Sequence, residues 1–409
     1  MVYTMPEFLE RRYNPQSRTI LSVISLVSYV LTKVAVTVYA GGLVFQQVFG
    51  IKELWGIDFF WIAAIGLVVL TALYTIFGGM KSVLYTSVLQ TPILLLGSLI
   101  ILVLGFKELG GWDEMMRVCG AVTVNDYGDT MTNLIRSNDD ANFPWLGALI
   151  GSAIIGFWYW CTDQFIVQRV LSGKNEMEAR RGTIFGAYLK LLPVFLFLIP
   201  GMIAFALHQK YIGAGGEGFL PLLANGTANA DAAFPTLVAK LLPAGVKGLV
   251  VCGILAALMS SLASLFNSSA MLFTIDFYKR FKPETPEKKL VGIGQIATVV
   301  IVILGILWIP IMRSVGDVLY TYLQDVQSVL APGIAAAFLL GICWKRTSAK
   351  GGMWGLIAGM IIGLTRLGAK VYYSNTAITD SSMFKYLFYD LNWLFFCGWM
   401  FLFCIIVVI

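Results

Sequence analysis

The chain has 409 residues, of which 58% are hydrophobic and only 13% are charged, and its mean hydropathy is +0.79. This composition excludes an ordinary soluble domain. The formal net charge of +6 does not indicate a nucleic-acid partner, because the basic residues fall in alternate loops and so predict membrane orientation. The single histidine, His208, excludes a site built from several histidines, and the six cysteines lack metal-ligand spacing. Hydrolytic enzyme chemistry is therefore not expected.

Apolar segments long enough to cross a bilayer follow one another along the whole chain. A spanning helix needs roughly 20 mostly apolar residues, and about ten segments meet that requirement. We therefore predict an all-α polytopic membrane protein with a single transmembrane domain over 1–409, located in the plasma membrane (the inner membrane if bacterial). The predicted spans are 19–47, 57–77, 83–106, 145–171, 183–207, 241–278, 289–312, 317–343, 352–373 and 388–409.

Several of these spans contain helix breakers at membrane depth. Broken helices free backbone carbonyls and amides, which lipid tolerates only where they are buried in protein or line a cavity. Secondary transporters build their midplane sites from such helices. The breakers are Pro92, Pro193, Pro200, Pro310 and the pair Pro332 and Gly333.

An aromatic run with polar neighbours, residues 156–164, lies inside the predicted span 145–171. Tyr159 and Trp160 are adjacent, and Asp163 and Gln164 are expected one helical turn later on an overlapping face. A carboxylate at membrane depth indicates a functional site. The flat rings suit the C–H face of a sugar or an ammonium group. The alternative is an interfacial aromatic belt.

Small residues and hydroxyls form a second cluster at Ala257, Ser260 and Ser261. Their i, i+3, i+4 spacing places one backbone carbonyl and two hydroxyls on one helix face, where they would suit a small hard cation such as sodium. Close helix packing is the alternative, because small residues and serines are common at helix contacts in membranes.

Isolated polar residues form a third set within apolar sequence. Each is expected to face a cavity, pair with an opposite charge, reach the interface or hydrogen-bond between helices. These residues are Lys33, Lys190, Asp276, Gln324 and Asp325.

Strings distributed along the whole chain, among them the run from Thr4 to Leu9 and the run from Trp158 to Arg169, resemble the sodium/solute symporter family, and within it the sodium/glucose cotransporter branch most closely. The resemblance implies a LeuT-like inverted-repeat core that works by alternating access. It also implies sodium-coupled uptake of a hexose such as glucose or galactose, with sodium as the coupling ion. The strings lie at 4–9, 73–79, 158–169, 260–268 and 339–346.

The resemblance also implies roles for individual residues in substrate binding and gating. Tyr159 would be the inner gate beneath the sugar, with Trp160 beside it in the site. Lys190 and Gln324 would hydrogen-bond sugar hydroxyls, and Tyr320 stands where the family usually has an aromatic outer gate.

The sodium site follows from the same resemblance. Ala257, Ser260 and Ser261 match one wall of the family's main sodium site. Ser87 stands where some relatives carry an aspartate associated with a second sodium, so a second ion is in doubt. Gly156 replaces a threonine or asparagine of relatives, which weakens the assignment of one particular sugar.

The resemblance leaves two alternatives for function and identifies one departure at the ends of the chain. The same scaffold transports inositols, amino acids or carboxylates in other members, and a sugar sensor without stoichiometric transport is a further alternative. Relatives carry additional helices before residue 4, including one that completes the sodium site. We therefore expect a chain truncated at both ends that does not transport when expressed alone.

Overall fold

The computed structural model is built almost entirely from helices. It describes residues 4–223, 226–315, 318–375 and 382–409. Within these ranges only the backbone is described at residues 74, 76–83, 86, 312–315 and 375. The first helices are α1 Met5–Arg12, α2 Pro15–Ser28, α3 Ala35–Phe49, α4 Phe59–Leu109, α5 Trp112–Gly120, α6 Trp145–Phe157, α7 Gln164–Leu171, α8 Glu176–Leu189 and α9 Ile199–Gly213. They are followed by α10 Ala233–Leu241, α11 Ala244–Met271, α12 Lys279–Phe281, α13 Glu287–Val315, α14 Leu319–Cys343, α15 Ala349–Asn375, α16 Met383–Lys385 and α17 Trp393–Val408.

The described residues also form short elements other than α-helices. The two-residue strands β1 Glu53–Leu54 and β2 Ile57–Asp58 pair antiparallel, and Ala230–Ala232 forms a 3-10 turn. Segments of π-helix, whose turns are wider than those of an α-helix, interrupt several of the helices. The π-helical segments are Tyr29–Val34, Trp158–Thr162, Val194–Leu198, Leu272–Tyr278 and Tyr386–Asp390.

Eight helical stretches within the described residues are long and apolar enough to cross a membrane. A ninth arises if Met383–Asp390 and Trp393–Val408, which meet at 110°, count as one bent span, and Phe59–Leu73 is a shorter apolar helix. The predicted all-α membrane architecture is confirmed. The eight stretches are Pro15–Phe49, Ser87–Leu109, Trp145–Thr162, Glu176–Gly213, Ala244–Phe281, Glu287–Ile311, Leu319–Cys343 and Ala349–Ser374.

The prediction of a loop between spans 57–77 and 83–106 is wrong, because the backbone there is helical. Helix α4 continues through both spans for 51 residues, more than twice the length that one crossing requires. No proline lies between 78 and 91, and glycine weakens a helix by only about 1 kcal/mol per residue. The two glycines at 78 and 79 therefore do not end the helix.

The chain divides into two compact units. Unit 1 comprises Met1–Val36, Arg136–Ala179 and Leu265–Ile409, and unit 2 comprises Thr37–Ile135 and Arg180–Ser264. The single transmembrane domain predicted over 1–409 stays a prediction.

The core of unit 1 centres on α14, where 16 of the 25 residues are buried. Gly333 of α14 lies against Gly359 of α15, and a Cβ on Gly359 would stand 2.8 Å from the Gly333 Cα. Small residues of this kind let membrane helices approach closely. Leu9, Trp158 and Phe338 belong to the same buried cluster, so the N-terminal helix α1 packs into this core.

The core of unit 2 is formed by α4, α5, α9, α10 and α11. Its buried members include Ile101, Met115, Ile203, Leu237 and Val250. Close contacts between α4 and α11 again involve glycine, since a Cβ on Gly253 would stand 2.9 Å from the Ile93 side chain. This packing holds the part of α11 that carries the predicted sodium ligands.

Candidate functional site

The aromatic run lies at an interruption of the helix that begins at Trp145. Helix α6 gives way to the π-helical turn Trp158–Thr162, and Asp163 then adopts extended backbone angles (φ −75°, ψ 119°) before α7 starts at Gln164. The Thr162 hydroxyl donates to the Trp158 carbonyl at 2.8 Å. The same carbonyl accepts from the Asp163 N–H at 3.1 Å, so the side chain adds a second hydrogen bond at the interruption.

The expectation that Asp163 and Gln164 continue the helical face of Tyr159 and Trp160 is wrong, because the helix ends between the two pairs. Asp163 is instead the N-cap of α7, and its carboxylate accepts from the Phe165 N–H at 3.1 Å. Aspartate is among the preferred N-cap residues. The Thr-Asp sequence was therefore a signal for a helix start that periodicity alone did not reveal.

The two aromatic residues proposed to contact substrate lie directly against each other. Their ring centroids are 5.1 Å apart in an edge-to-face arrangement. Tyr159 is half-buried, whereas Trp160 is 49% exposed. One half-buried and one accessible ring thus border the same helix interruption, which is a suitable surface for an apolar sugar face.

The predicted outer gate and one predicted sugar-binding amide meet on α14. The Gln324 Nε2 donates to the Tyr320 hydroxyl at 3.3 Å, one helical turn away. The Tyr320 ring is 56% exposed, and its centroid lies 6.4 Å from that of Phe143. Both Tyr320 and Gln324 belong to unit 1, as do Tyr159 and Trp160.

Lys190 lies in unit 2, at the interruption between α8 and the π-helical segment Val194–Leu198. Its backbone N–H donates to the carbonyls of Gly186 and Ala187 at 3.0 and 3.2 Å, so the helix tightens as it ends. The side chain is exposed. Its role in substrate binding stays a prediction.

The predicted sodium ligands lie on α11 in unit 2. Ser260 is buried, and its hydroxyl lies 2.6 Å from the hydroxyl of Ser87 on α4. The Ser260 carbonyl accepts from the Ser264 hydroxyl at 3.0 Å. In a regular helix the Ala257 carbonyl accepts the amide four residues on, and a carbonyl oxygen keeps a second lone pair for a cation. Ser261 is half-buried on the same turn.

This contact joins two predictions that the sequence kept separate. The family resemblance relates Ser87 only to a doubtful second ion, whereas the structure places its hydroxyl against Ser260 of the main predicted site. The two hydroxyls offer neutral oxygens side by side, a donor type suited to a hard cation. No spacing in the sequence relates residues 87 and 260.

A buried ion pair beside Tyr159 was missed by the sequence analysis, although both of its members were noted singly. Lys33 donates to Asp163 Oδ2, and the Tyr29 hydroxyl donates to Oδ1 at 3.1 Å. Lys33 and Asp163 are only 8% and 5% exposed. The available signal was that each intramembrane charge requires a partner.

The remaining isolated carboxylates are also paired. Arg18 donates to Asp276 at 2.7 Å, and the Thr4 hydroxyl donates to the same oxygen at 3.0 Å. Lys370 donates to Asp325 at 2.5 Å. These contacts explain Asp276 and Asp325 as parts of ion pairs within unit 1.

Comparison with known proteins identifies the class. A model of the Sodium:solute symporter family matches residues 1–359. The chain belongs to this family of transporters, as its motifs predict. It is accordingly a multi-pass membrane protein.

Several curated relatives are more than one third identical to the chain. Sodium/myo-inositol cotransporter 2 of Homo sapiens is 37% identical over 90% of the chain and 55% of the relative. Sodium/glucose cotransporter 4 of Mus musculus is 36% identical over 97% and 59%, and the sodium/mannose cotransporter of Bos taurus is 38% identical over 90% and 62%. The chain thus spans between 55% and 62% of the length of these relatives.

A solved structure confirms the fold. A Na+-coupled sialic acid symporter, described in a substrate-bound outward-open state with a novel Na+ site, matches all of this chain and 76% of its own, with a TM-score of 0.72 and 22% sequence identity. The LeuT-like fold predicted from the motifs is confirmed at this level.

Proposed function

We propose that the protein is a sodium-coupled symporter of a small neutral polyol, in the plasma membrane. Family membership over residues 1–359 carries the proposal. The relatives described above are named for glucose, mannose and myo-inositol, and all three are compact molecules that present several hydroxyls. The substrate class is therefore a hexose or an inositol.

The geometry of unit 1 supports a polyol as substrate. The half-buried ring of Tyr159 and the accessible ring of Trp160 offer apolar faces, and Gln324 offers an amide beside Tyr320. Within unit 1 we assign substrate contact to Tyr159, Trp160 and Gln324, and for Lys190 of unit 2 the family resemblance alone supports the same role. In this proposal Tyr159 is also the inner gate, and the exposed ring of Tyr320 is the outer gate.

Neutral oxygens on α11 support sodium as the coupling ion. We assign it to the Ala257 carbonyl and the hydroxyls of Ser260 and Ser261, with Ser87 as a neighbour of Ser260. One sodium ion that enters through 100 mV releases about 2.3 kcal/mol. Because about 1.4 kcal/mol corresponds to a tenfold ratio, a single ion supports substantial accumulation of substrate.

Uptake into proteoliposomes that hold the protein expressed from its complete gene tests the proposal. Labelled glucose, galactose, mannose and myo-inositol are each supplied with an inward sodium gradient or a matched potassium gradient. We expect sodium-dependent accumulation of at least one of the four. Uptake that is the same with a sodium gradient as with a potassium gradient would contradict sodium coupling.

The same assay addresses the sensor alternative. A sensor binds the polyol in a sodium-dependent way without accumulating it. Equilibrium binding of the labelled polyol to the detergent-solubilised protein, measured in parallel, separates these outcomes. Binding without accumulation would replace the symport proposal by the sensor.

A further inference from the structure

Two interruptions of regular helix face each other across the Lys33–Asp163 ion pair. Lys33 lies in the π-helical segment Tyr29–Val34, and Asp163 directly follows the π-helical turn Trp158–Thr162. Both residues belong to unit 1. The pair therefore links the widened turn of one span to the break of another.

The pair is closed off from bulk solvent. Its two side chains are 9% and 3% exposed, and the enclosed cavity beside Tyr29 and Asp163 measures about 10 Å³. That volume is close to the smallest that admits one water molecule. Electrostatic interactions at such a site are strong because little water screens them.

The Lys33 ammonium also contacts aromatic rings on both sides of the break. It lies 5.2 Å from the centroid of the Tyr159 ring, which precedes the break, and 4.2 Å from that of Phe165, which follows it. The Tyr29 ring, at 4.9 Å, closes a third side. A buried cation over a ring face attracts that ring, so the ammonium restrains rings that the broken backbone leaves free to move apart.

We propose that Lys33 is the positioning residue of Tyr159: Asp163 holds the Lys33 ammonium, and the ammonium holds the Tyr159 ring at the helix break. This inference rests on the proposed function only in naming Tyr159 a gate. The contact itself belongs to the structure of unit 1. A purely structural ion pair would stabilise the fold without acting through the Tyr159 ring.

A double-mutant cycle between Lys33 and Tyr159 tests the proposal. The variants Lys33→Met, Tyr159→Leu and their combination are compared in the protein expressed from its complete gene. The measured quantity is the rate at which Cys161 is modified by a thiol reagent. If Lys33 acts through the Tyr159 ring, Lys33→Met changes this rate in the parent but causes no further change in the Tyr159→Leu variant. Additive effects of the two substitutions would overturn the proposal.

Cys161 supplies a readout that does not depend on transport. It is an exposed thiol in the same π-helical turn as Tyr159, whereas Cys119, Cys397 and Cys404 are buried. In a background that carries Cys252→Ser and Cys343→Ser, we measure the rate at which a hydrophilic thiol reagent modifies the solubilised protein. Lys33→Met is expected to raise this rate about five- to thirtyfold, the range that a cation–π contact of this kind represents.

Two further variants separate positioning from folding. Lys33→Met leaves Asp163 as an uncompensated buried charge, so Lys33→Met with Asp163→Asn restores a neutral site, and its thermal unfolding midpoint should recover towards the parent. The rate at Cys161 should stay high, because the ammonium is still missing. If the unfolding midpoint and the rate at Cys161 both returned to the parent values, the Lys33–Asp163 pair would have only a structural role.

The matched control is a different buried ion pair of unit 1, formed by Arg18 and Asp276. Asp276→Asn breaks the contact with Arg18 but touches no ring of the gate, and it should leave the rate at Cys161 within about twofold while lowering stability. An increase equal to that of Lys33→Met would overturn the proposal.

Polyol uptake is measured in the same variants. A parent protein without uptake would refute the proposed function. The double-mutant cycle, measured as the rate at Cys161, would still decide this inference.

Discussion

Uncharged polar side chains are assigned to both ligands in the proposed coupling. On α11, Ser260 and Ser261 offer hydroxyls, and Ser87 lies 2.6 Å from Ser260. On α14, Gln324 offers an amide beside Tyr320. These positions fall in different compact units, so sodium and substrate affinities should respond to different substitutions.

Gln324→Ala and Ser261→Ala test this division of roles. Gln324→Ala should raise the polyol concentration for half-maximal uptake about two- to tenfold and leave sodium dependence nearly unchanged, since a lost hydrogen bond is worth about 0.5–1.5 kcal/mol. Ser261→Ala should do the reverse. Uptake is measured over a matrix of sodium and polyol concentrations, and equal effects of both substitutions on both ligands would refute the assignment.

Ser87→Ala asks whether this serine belongs to the main sodium site. Loss of its hydroxyl leaves the Ser260 hydroxyl without the contact at 2.6 Å. We expect the sodium concentration for half-maximal uptake to rise about two- to tenfold, in keeping with the loss of one hydrogen bond. Thr71→Val is the control on the same helix, because the Thr71 hydroxyl donates to the Leu67 carbonyl at 2.7 Å. An unchanged sodium dependence would separate Ser87 from the site.

At the scale of the helices, the crossing of α14 and α15 depends on glycine. A Cβ on Gly359 would stand 2.8 Å from the Gly333 Cα, whereas a Cβ on Gly368 of the same helix would meet nothing within 4 Å. Gly359→Ala should therefore destabilise the protein by about 1–3 kcal/mol through overpacking. Gly368→Ala should be neutral or slightly stabilising, since alanine favours a helix by about 1 kcal/mol. Thermal unfolding in detergent measures both, and equal midpoints would contradict the close crossing.

The turn before α6 should lose stability in acid. Asp140 accepts from the N–H groups of Asn142 and Phe143 at 2.9 and 2.7 Å, and from Arg136 at 3.3 Å. Burial alone would raise the pKa of Asp140, but these hydrogen bonds and the charge of Arg136 lower it below its ordinary value. The contribution is therefore present above the unfolded-state pKa of about 3.9, and it is lost as the pH falls through the lower pKa of the folded state.

Asp140→Asn measures this contribution. The unfolding midpoint of the parent and of the variant is followed from neutral to acidic pH. The difference between them should be largest at neutral pH and shrink in acid. A difference that does not depend on pH would show that the Asp140 carboxylate is not ionised in the folded turn.

Hydropathy predicted the spans, but it did not predict how they are interrupted. The spans follow from long apolar segments that any bilayer would bury. The break at Asp163 needs no proline, because a π-helical turn and an aspartate N-cap produce it. The continuous backbone of α4 shows the converse, since paired glycines did not end a helix.

Pairing between distant residues was beyond the sequence for a different reason. Lys33 and Asp163 are 130 positions apart, and Ser87 and Ser260 are 173 apart. Local periodicity carries no information on which helices are neighbours. Motif resemblance predicts roles for Tyr159, Gln324 and the α11 serines, whereas a role for Lys33 can be inferred only from the fold, which places its ammonium over the Tyr159 ring.

At the scale of the whole molecule, sodium binding should increase the free energy of unfolding. A ligand that binds only the folded state adds about 1.4 kcal/mol at roughly ten times its dissociation constant. Replacing potassium chloride by sodium chloride at constant ionic strength should therefore raise the unfolding midpoint of the protein expressed from its complete gene. The shift should disappear in Ser260→Ala with Ser261→Ala, and persist in Gln324→Ala.

The polyol completes this linkage argument. If sodium favours the state that binds substrate, then substrate must favour the state that binds sodium by the same factor. Polyol should therefore raise the midpoint further in sodium than in potassium, and the excess should disappear in the double serine variant. Equal shifts by polyol in both salts would show that the two ligands bind independently, which is incompatible with coupled transport through a shared conformational equilibrium.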